Sequence, residues 1–211
     1  MFDSGYLASL GISADLAVYY VKANWLTRLS RGVFCRANDA LDLYACLQFL
    51  QSRVSGLHVA GMSALSWHGL RQYVSPKPVV HLFGHESAKM PDWFVQRFPS
   101  VYRRKRLFDE SPRSLMAVST FGQQAFAPLV SEPERAFLEM LSEVGGKQAL
   151  QEAREIAESA YALRSETLLV LLKACTNVKT IRICMQLGRE VQLPWYTKIA
   201  PELQAHLSSS P

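Results

Sequence analysis

Four of the five histidines of this 211-residue chain, His58, His68, His81 and His85, fall in one stretch, and they are the first residues to weigh for chemistry. Imidazole is the commonest metal ligand and the side chain that exchanges a proton near neutral pH. His81-x-x-x-His85 followed by Glu86 has the residue types of a metal site. On a helix that gap would put both rings on one face, but Val79-Val80-His81-Leu82-Phe83 reads as a strand and His85 follows Gly84. No second cluster completes a ligand set, so no metal and no cofactor is expected. Ser63 and Ser66 lack the flanking glycines of a nucleophile elbow, and there is no Gly-rich loop to hold phosphate. Glu152, Glu155 and Glu158 are the nearest approach to clustered carboxylates, and their helical spacing describes a solvated face. The expectation is a protein that is not an enzyme.

The cations say more. Net charge is +5. Lys and Arg stand five against four Asp and Glu in residues 1–57, nine against four in 58–113, and nine against ten in 114–211. Much of the excess is the run Arg103-Arg104-Lys105-Arg106. Such a run attracts polyanions, chiefly nucleic acid, by displacing counterions; it serves equally as a charged strand edge that resists aggregation. A second set, Lys22, Arg28, Arg31 and Arg36, lies near the N-terminus.

The elements that position this second set are legible. Tyr6, Leu7 and Leu10 stop at Gly11, the residue that most easily takes the left-handed conformation, and Ser13 is placed to cap a following helix. Leu16, Tyr20 and Ala23 give that helix its apolar face, Asn24 closes it, and Trp25–Leu29 reads as a strand. Ser30-Arg31-Gly32 turns the chain into a second strand, Val33-Phe34-Cys35-Arg36. Two helices and a hairpin outline a winged helix-turn-helix over residues 1–37, a fold used to grip DNA and also to contact proteins. On its second helix Ser13, Asp15, Val18, Tyr19 and Lys22 lie off the apolar face, and only Lys22 is cationic. Base readout favours Arg, Lys, Asn or Gln, so Ser13, Tyr19 and Lys22 make a poor reading surface. Arg28, Arg31 and Arg36, on or beside the hairpin, are placed to clamp phosphates, or are ordinary exposed arginines.

The remainder, residues 38–211, divides into a mixed α/β part (38–130) and a helical part (131–205), giving an α+β protein. Asn38-Asp39 offers a cap for a helix carrying Leu43, Cys46, Leu47, Leu50 and Val54. Gly61–Gly69 is a brief helix between glycines. Val79–Phe83, Trp93–Val95 and Val101–Tyr102 each follow a proline and read as strands. Ser131 is placed to cap a helix with Pro133 in its first turn and Ala136, Phe137, Met140, Leu141 and Val144 inside. Further helices are expected over Lys147–Ala160, with Leu150 on the inner face, Ser165–Cys175 and Asn177–Leu187, ending in a frayed tail from His206. Trp67, Trp93 and Trp195 read as core or interface anchors. Cys35, Cys46, Cys175 and Cys184 show neither Cys-x-x-Cys nor metal spacing, and no signal peptide opens the chain. A reducing, cytoplasmic setting is expected. The longest aliphatic run, Leu168–Leu172, is too short for a membrane span.

Taken in order, Gly32-Val33-Phe34, the block Val59-Ala60-Gly61-Met62-Ser63-Ala64-Leu65 with Gly69-Leu70, and Val130-Ser131-Glu132-Pro133-Glu134-Arg135-Ala136 resemble the AbiEi-type antitoxins of bacterial abortive-infection systems. Leu171-Leu172-Lys173-Ala174-Cys175, Val178-Lys179, Arg182 and Leu193-Pro194-Trp195 are similar to the helical C-terminal part of that family. The resemblance implies a winged N-terminal domain that binds inverted repeats in its own promoter and represses it, and a C-terminal region that counteracts a nucleotidyltransferase toxin. These systems are type IV, in which a tight toxin–antitoxin complex is not assumed. The residues alone also allow a sequence-tolerant nucleic-acid-binding regulator without a toxin.

Overall fold

The computed structural model describes residues 1–70, 78–109, 117–122, 126–146 and 149–209, with the side chains of 206–209 left aside. It is an α+β protein with a three-stranded N-terminal sheet and a larger five-stranded one.

The N-terminal module runs β1 (Phe2–Asp3), α1 (Ser4–Ser9), α2 (Ala14–Lys22), β2 (Leu26–Ser30) and β3 (Val33–Arg36). The two helices and the hairpin fall where the turn residues place them; β1 is an addition that two residues could not announce. It pairs with β3, so the sheet order is β1-β3-β2, all antiparallel. Asp3 caps α1 by accepting from the Tyr6 amide at 2.6 Å, and Ser13 caps α2 by accepting from the Leu16 amide at 3.2 Å. Only Leu7, Ala17 and Phe34 form this module's buried cluster, with Phe2, Ile12, Val21 and Leu26 packed against it.

Next come α3 (Leu43–Gln51), β4 (His58–Val59), α4 (Gly61–Trp67), β5 (Val80–Gly84), α5 (Asp92–Arg97), β6 (Ser100–Arg104), β7 (Val118–Thr120) and β8 (Leu129–Ser131). The cap of α3 is Asp42, which accepts from the Ala45 amide at 2.9 Å, not Asn38-Asp39; Asn38 instead takes a left-handed turn at φ 64°. Trp93–Val95, expected as strand, is helical, because Pro91 supplies the φ of a helix start and Asp92 sits in its first turn. The turn at Pro76-Lys77 lies outside the described residues. The strands form one mixed sheet in the order β6-β5-β4-β8-β7, with β6 and β7 at its edges.

The helical part comprises α6 (Pro133–Leu141), α7 (Leu150–Glu158), a 3-10 turn (Ala160–Ala162), α8 (Ser165–Ala174), α9 (Val178–Glu190) and α10 (Pro194–Ser209). The tail expected to fray continues as helix through Ser209. Leu150, expected inside, is exposed at the start of α7, while Ala153, Ile156 and Ala157 are buried. Helix α6 is the hub: it packs against α4, α8, α9 and β8, and every residue from Glu134 to Leu141 is buried. Trp195 closes the bundle, with its indole N–H donating to the Ala160 carbonyl at 3.0 Å. Gly188 lies beneath it, where a Cβ would stand 2.6 Å from the indole.

Charged groups inside α6 are what periodicity could not show. The Glu139 carboxylate is fully buried and accepts from four donors: His58 Nε2 at 3.0 Å, the Gly61 amide at 3.1 Å, Ser131 Oγ at 2.8 Å and Arg135 Nε at 2.9 Å. Burial works against its charge, but His58 and then Arg135 outweigh that and bring its pKa down to about 2. The four donors belong to β4, α4, β8 and α6, so one carboxylate ties the sheet centre to the hub. This also corrects the role of Ser131: it ends β8 and donates to Glu139, and α6 begins after Glu132 without a side-chain cap. Glu134 is held below the usual carboxylate range against its burial by Arg164, at 2.7 Å.

Candidate nucleic-acid interface

The N-terminal module carries one of the two cation sets singled out from sequence, Lys22, Arg28, Arg31 and Arg36. In the hairpin Leu26 faces Arg36, Thr27 faces Cys35 and Arg28 faces Phe34, with an irregularity between Arg28 and Ser30 before the turn. Gly32 holds φ +72° there, and its carbonyl accepts from the Ser4 amide at 3.0 Å, which pins the turn to the start of α1. A side chain at Gly32 would be strained by that conformation and would crowd Ser4 Oγ at 3.2 Å. Arg31 is therefore carried on a fixed tip.

Val33, Phe34 and Cys35 are buried, whereas Arg28, Arg31 and Arg36 are exposed. Arg28 Nε donates to the Ser30 carbonyl at 3.3 Å, which bends the side chain along the hairpin. Lys22 occupies the last turn of α2, where the helix dipole favours a cation. Lys22 and Arg28 line one groove of about 510 Å³ between α1, α2 and the hairpin; its other walls are mostly apolar, including Leu7, Ile12 and Val18. Arg36 lies on a second groove with Tyr20 and Trp25, whose rings stack at 5.2 Å. Tyr19 is exposed, and the Ser13 hydroxyl is engaged as the cap of α2.

The run at 103–106 is partly neutralised. Arg103 pairs with Glu143 at 2.7 Å, and Lys105 pairs with the same carboxylate at 2.5 Å while also donating to the Ser142 carbonyl at 3.2 Å. Arg104 and Arg106 are exposed. Alternation along the edge strand β6 is the cause: successive side chains point to opposite faces, and only one face meets the end of α6.

Of the residues weighed for catalysis, His58, His68 and Ser63 are held by structural bonds. His58 Nδ1 lies 2.7 Å from the Gly56 carbonyl and Nε2 faces Glu139. His68 Nε2 donates to the Ser131 carbonyl at 2.9 Å. Ser63 Oγ donates to the Val79 carbonyl and accepts from the His81 amide. Among the described residues no three His, Cys, Asp or Glu stand together as a metal site, and no helix is long and apolar enough to cross a membrane.

Two family models match consecutive parts of the chain. Residues 1–76 match the family described as "Transcriptional regulator, AbiEi antitoxin N-terminal domain", and residues 77–209 match "Transcriptional regulator, AbiEi antitoxin, Type IV TA system". The structure is similar to that of the Rv2827c protein from Mycobacterium tuberculosis, with a TM-score of 0.56 and 17% sequence identity over 97% of this chain and 73% of that one. At that identity the likeness concerns the fold. No curated protein sequence matches the chain. The two family matches together cover nearly every residue, and the chain belongs to the AbiEi antitoxins, transcriptional regulators of type IV toxin–antitoxin systems.

Proposed function

We propose that residues 1–37 bind duplex DNA at inverted repeats in the promoter of the protein's own operon and repress it, and that residues 38–211 counteract a nucleotidyltransferase toxin. The observation that carries the DNA half is the hairpin with Arg28, Arg31 and Arg36 all exposed around a fixed turn, beside two capped helices. Guanidinium groups so placed suit phosphates, which position a protein without reading bases. Ser13, Tyr19 and Lys22 form the remaining contact surface on α2. The toxin half is supported by the family to which the chain belongs.

Replacing Arg28, Arg31 and Arg36 together by Ala should weaken binding to promoter and unrelated duplexes alike. The slope of log affinity against log salt should fall by about 2.7 if each arginine meets one phosphate. An unchanged slope removes the hairpin from the interface. Co-expression with the neighbouring nucleotidyltransferase gene tests the second half: growth arrest that persists despite this protein rejects it. The single cation on α2 favours a second reading, a sequence-tolerant nucleic-acid-binding regulator with no toxin partner. Gel shifts separate the two, since the first requires preference for the promoter repeats.

A further inference from the structure

The largest cationic run in the sequence is half spent on Glu143, and the structure carries another array that the run conceals. Helix α9 buries Ile181, Cys184, Leu187 and Gly188. Its opposite face carries Arg182, Gln186 and Arg189, at the i, i+4, i+7 spacing of a straight stripe, with Lys179 at its head. Lys179 reaches back to the Val144 carbonyl at 2.8 Å. Among the described residues no acid pairs with Arg182 or Arg189. Glu190, next to Arg189, is held by Gln186 at 2.8 Å and by Arg154 at 3.6 Å.

The segment before α9 is bonded to the chain that follows β6. Phe108 bridges Cys175, and the Thr176 amide and hydroxyl donate to the Leu107 carbonyl at 2.9 and 3.1 Å. Those bonds set the segment that follows Arg104 and Arg106 against the start of α9. The N-terminal module joins the body through the residue just after α3. Arg53, just after α3, pairs with Asp3 at 2.5 Å, and Gln51 of α3 exchanges two 2.8 Å hydrogen bonds with the backbone of Leu129 in β8. The protein therefore carries a second set of exposed arginines besides those of the hairpin.

We infer that the outward face of α9, through Arg182 and Arg189, is a second binding surface for the phosphate backbone of duplex DNA. The two arginines stand about 10.5 Å apart along the helix, the rise of about three phosphates on one strand. A rigid helix suits a rigid duplex, and this face has no aromatic side chain on which unpaired bases could stack. The inference rests on the DNA-binding reading and extends its footprint beyond the hairpin.

The full chain is titrated with a duplex of about 30 base pairs of arbitrary sequence between about 50 and 200 mM salt. R182A/R189A should lower the magnitude of the salt slope by about 1.8, and R182K/R189K should keep it. The hairpin triple variant, measured alongside, loses its own increment, so failure of that variant alone leaves the α9 surface standing. An unchanged slope in R182A/R189A overturns the inference. So does a loss confined to double-stranded RNA of the same length.

Discussion

The imidazole Nε2 of His58 meets the Oε1 of Glu139 at 3.0 Å inside the protein, across 81 residues of chain, and neither side chain is more than 4% exposed. Each ring nitrogen of His58 faces an oxygen, Nδ1 the Gly56 carbonyl and Nε2 the Glu139 carboxylate. Arg135, whose guanidinium also lies 4.8 Å over the Phe108 ring, shares the carboxylate. Such a cluster contributes little beyond an apolar core of equal volume while complete, but it is costly to break.

Glu139→Gln therefore removes the buried negative charge that His58 and Arg135 both face and should destabilise the fold by about 3–5 kcal/mol in urea unfolding. A loss below about 1 kcal/mol, the size of an ordinary single hydrogen bond, would contradict the role assigned to this carboxylate.

Acid should act through the same residue. The folded-state pKa of Glu139 is about 2, below the ordinary value of 4.5, so its contribution is complete above the unfolded value and lost as pH falls from 4.5 towards 2. Glu134, also lowered, adds to this in the same direction. Unfolding free energy measured against pH should fall in that window, and the fall should be shallower in Glu139→Gln.

Gly188→Ala tests the closure of the bundle. The new methyl would stand 2.6 Å from the Trp195 indole, too near for any ordinary contact, and a ring bonded to the Ala160 carbonyl has little room to yield. Overpacking of this kind costs about 1–3 kcal/mol, whereas the same change at an open helical site would stabilise by up to about 1 kcal/mol. The sign of the change in melting temperature decides between them.

The four cysteines are free and buried. Burial pushes the Cys46 thiol up to about 11 and raises Cys35, Cys175 and Cys184 as well. Thiolate being the reactive form, a disulfide reagent at pH 8 should label the native protein slowly and all four positions promptly once it is unfolded in denaturant. Fast native labelling of Cys46 would show that α3 opens.

Local rules were enough for the elements whose ends are marked by side chains. Gly11, Ser13 and Asn24 bound α2, and Asn177 starts α9 by accepting from the Thr180 amide. They were insufficient where a partner distant in sequence decides. Ser131 has the chemistry of a cap, yet Glu139 and the neighbouring strands claim it. Nothing local to α6 marks Glu139 as buried; its partner His58 comes from β4. Within 103–106 the charge is plain, but which cations remain outside depends on Glu143, and the stripe on α9 is diluted in sequence by the apolar residues between its arginines. At the hairpin the arginines and their turn are adjacent in the chain, which is why that part of the candidate interface could be read directly.

The N-terminal module is built on a cluster of three buried side chains, Leu7, Ala17 and Phe34, separate from the main core. Its amide hydrogens should consequently exchange with solvent at a lower opening free energy than those of α6, as a cooperative unit of its own. Any duplex that binds only the closed module then stabilises it by mass action, so occupancy of the operator would be readable as slowed exchange in α1, α2 and the hairpin while the hub stays unchanged.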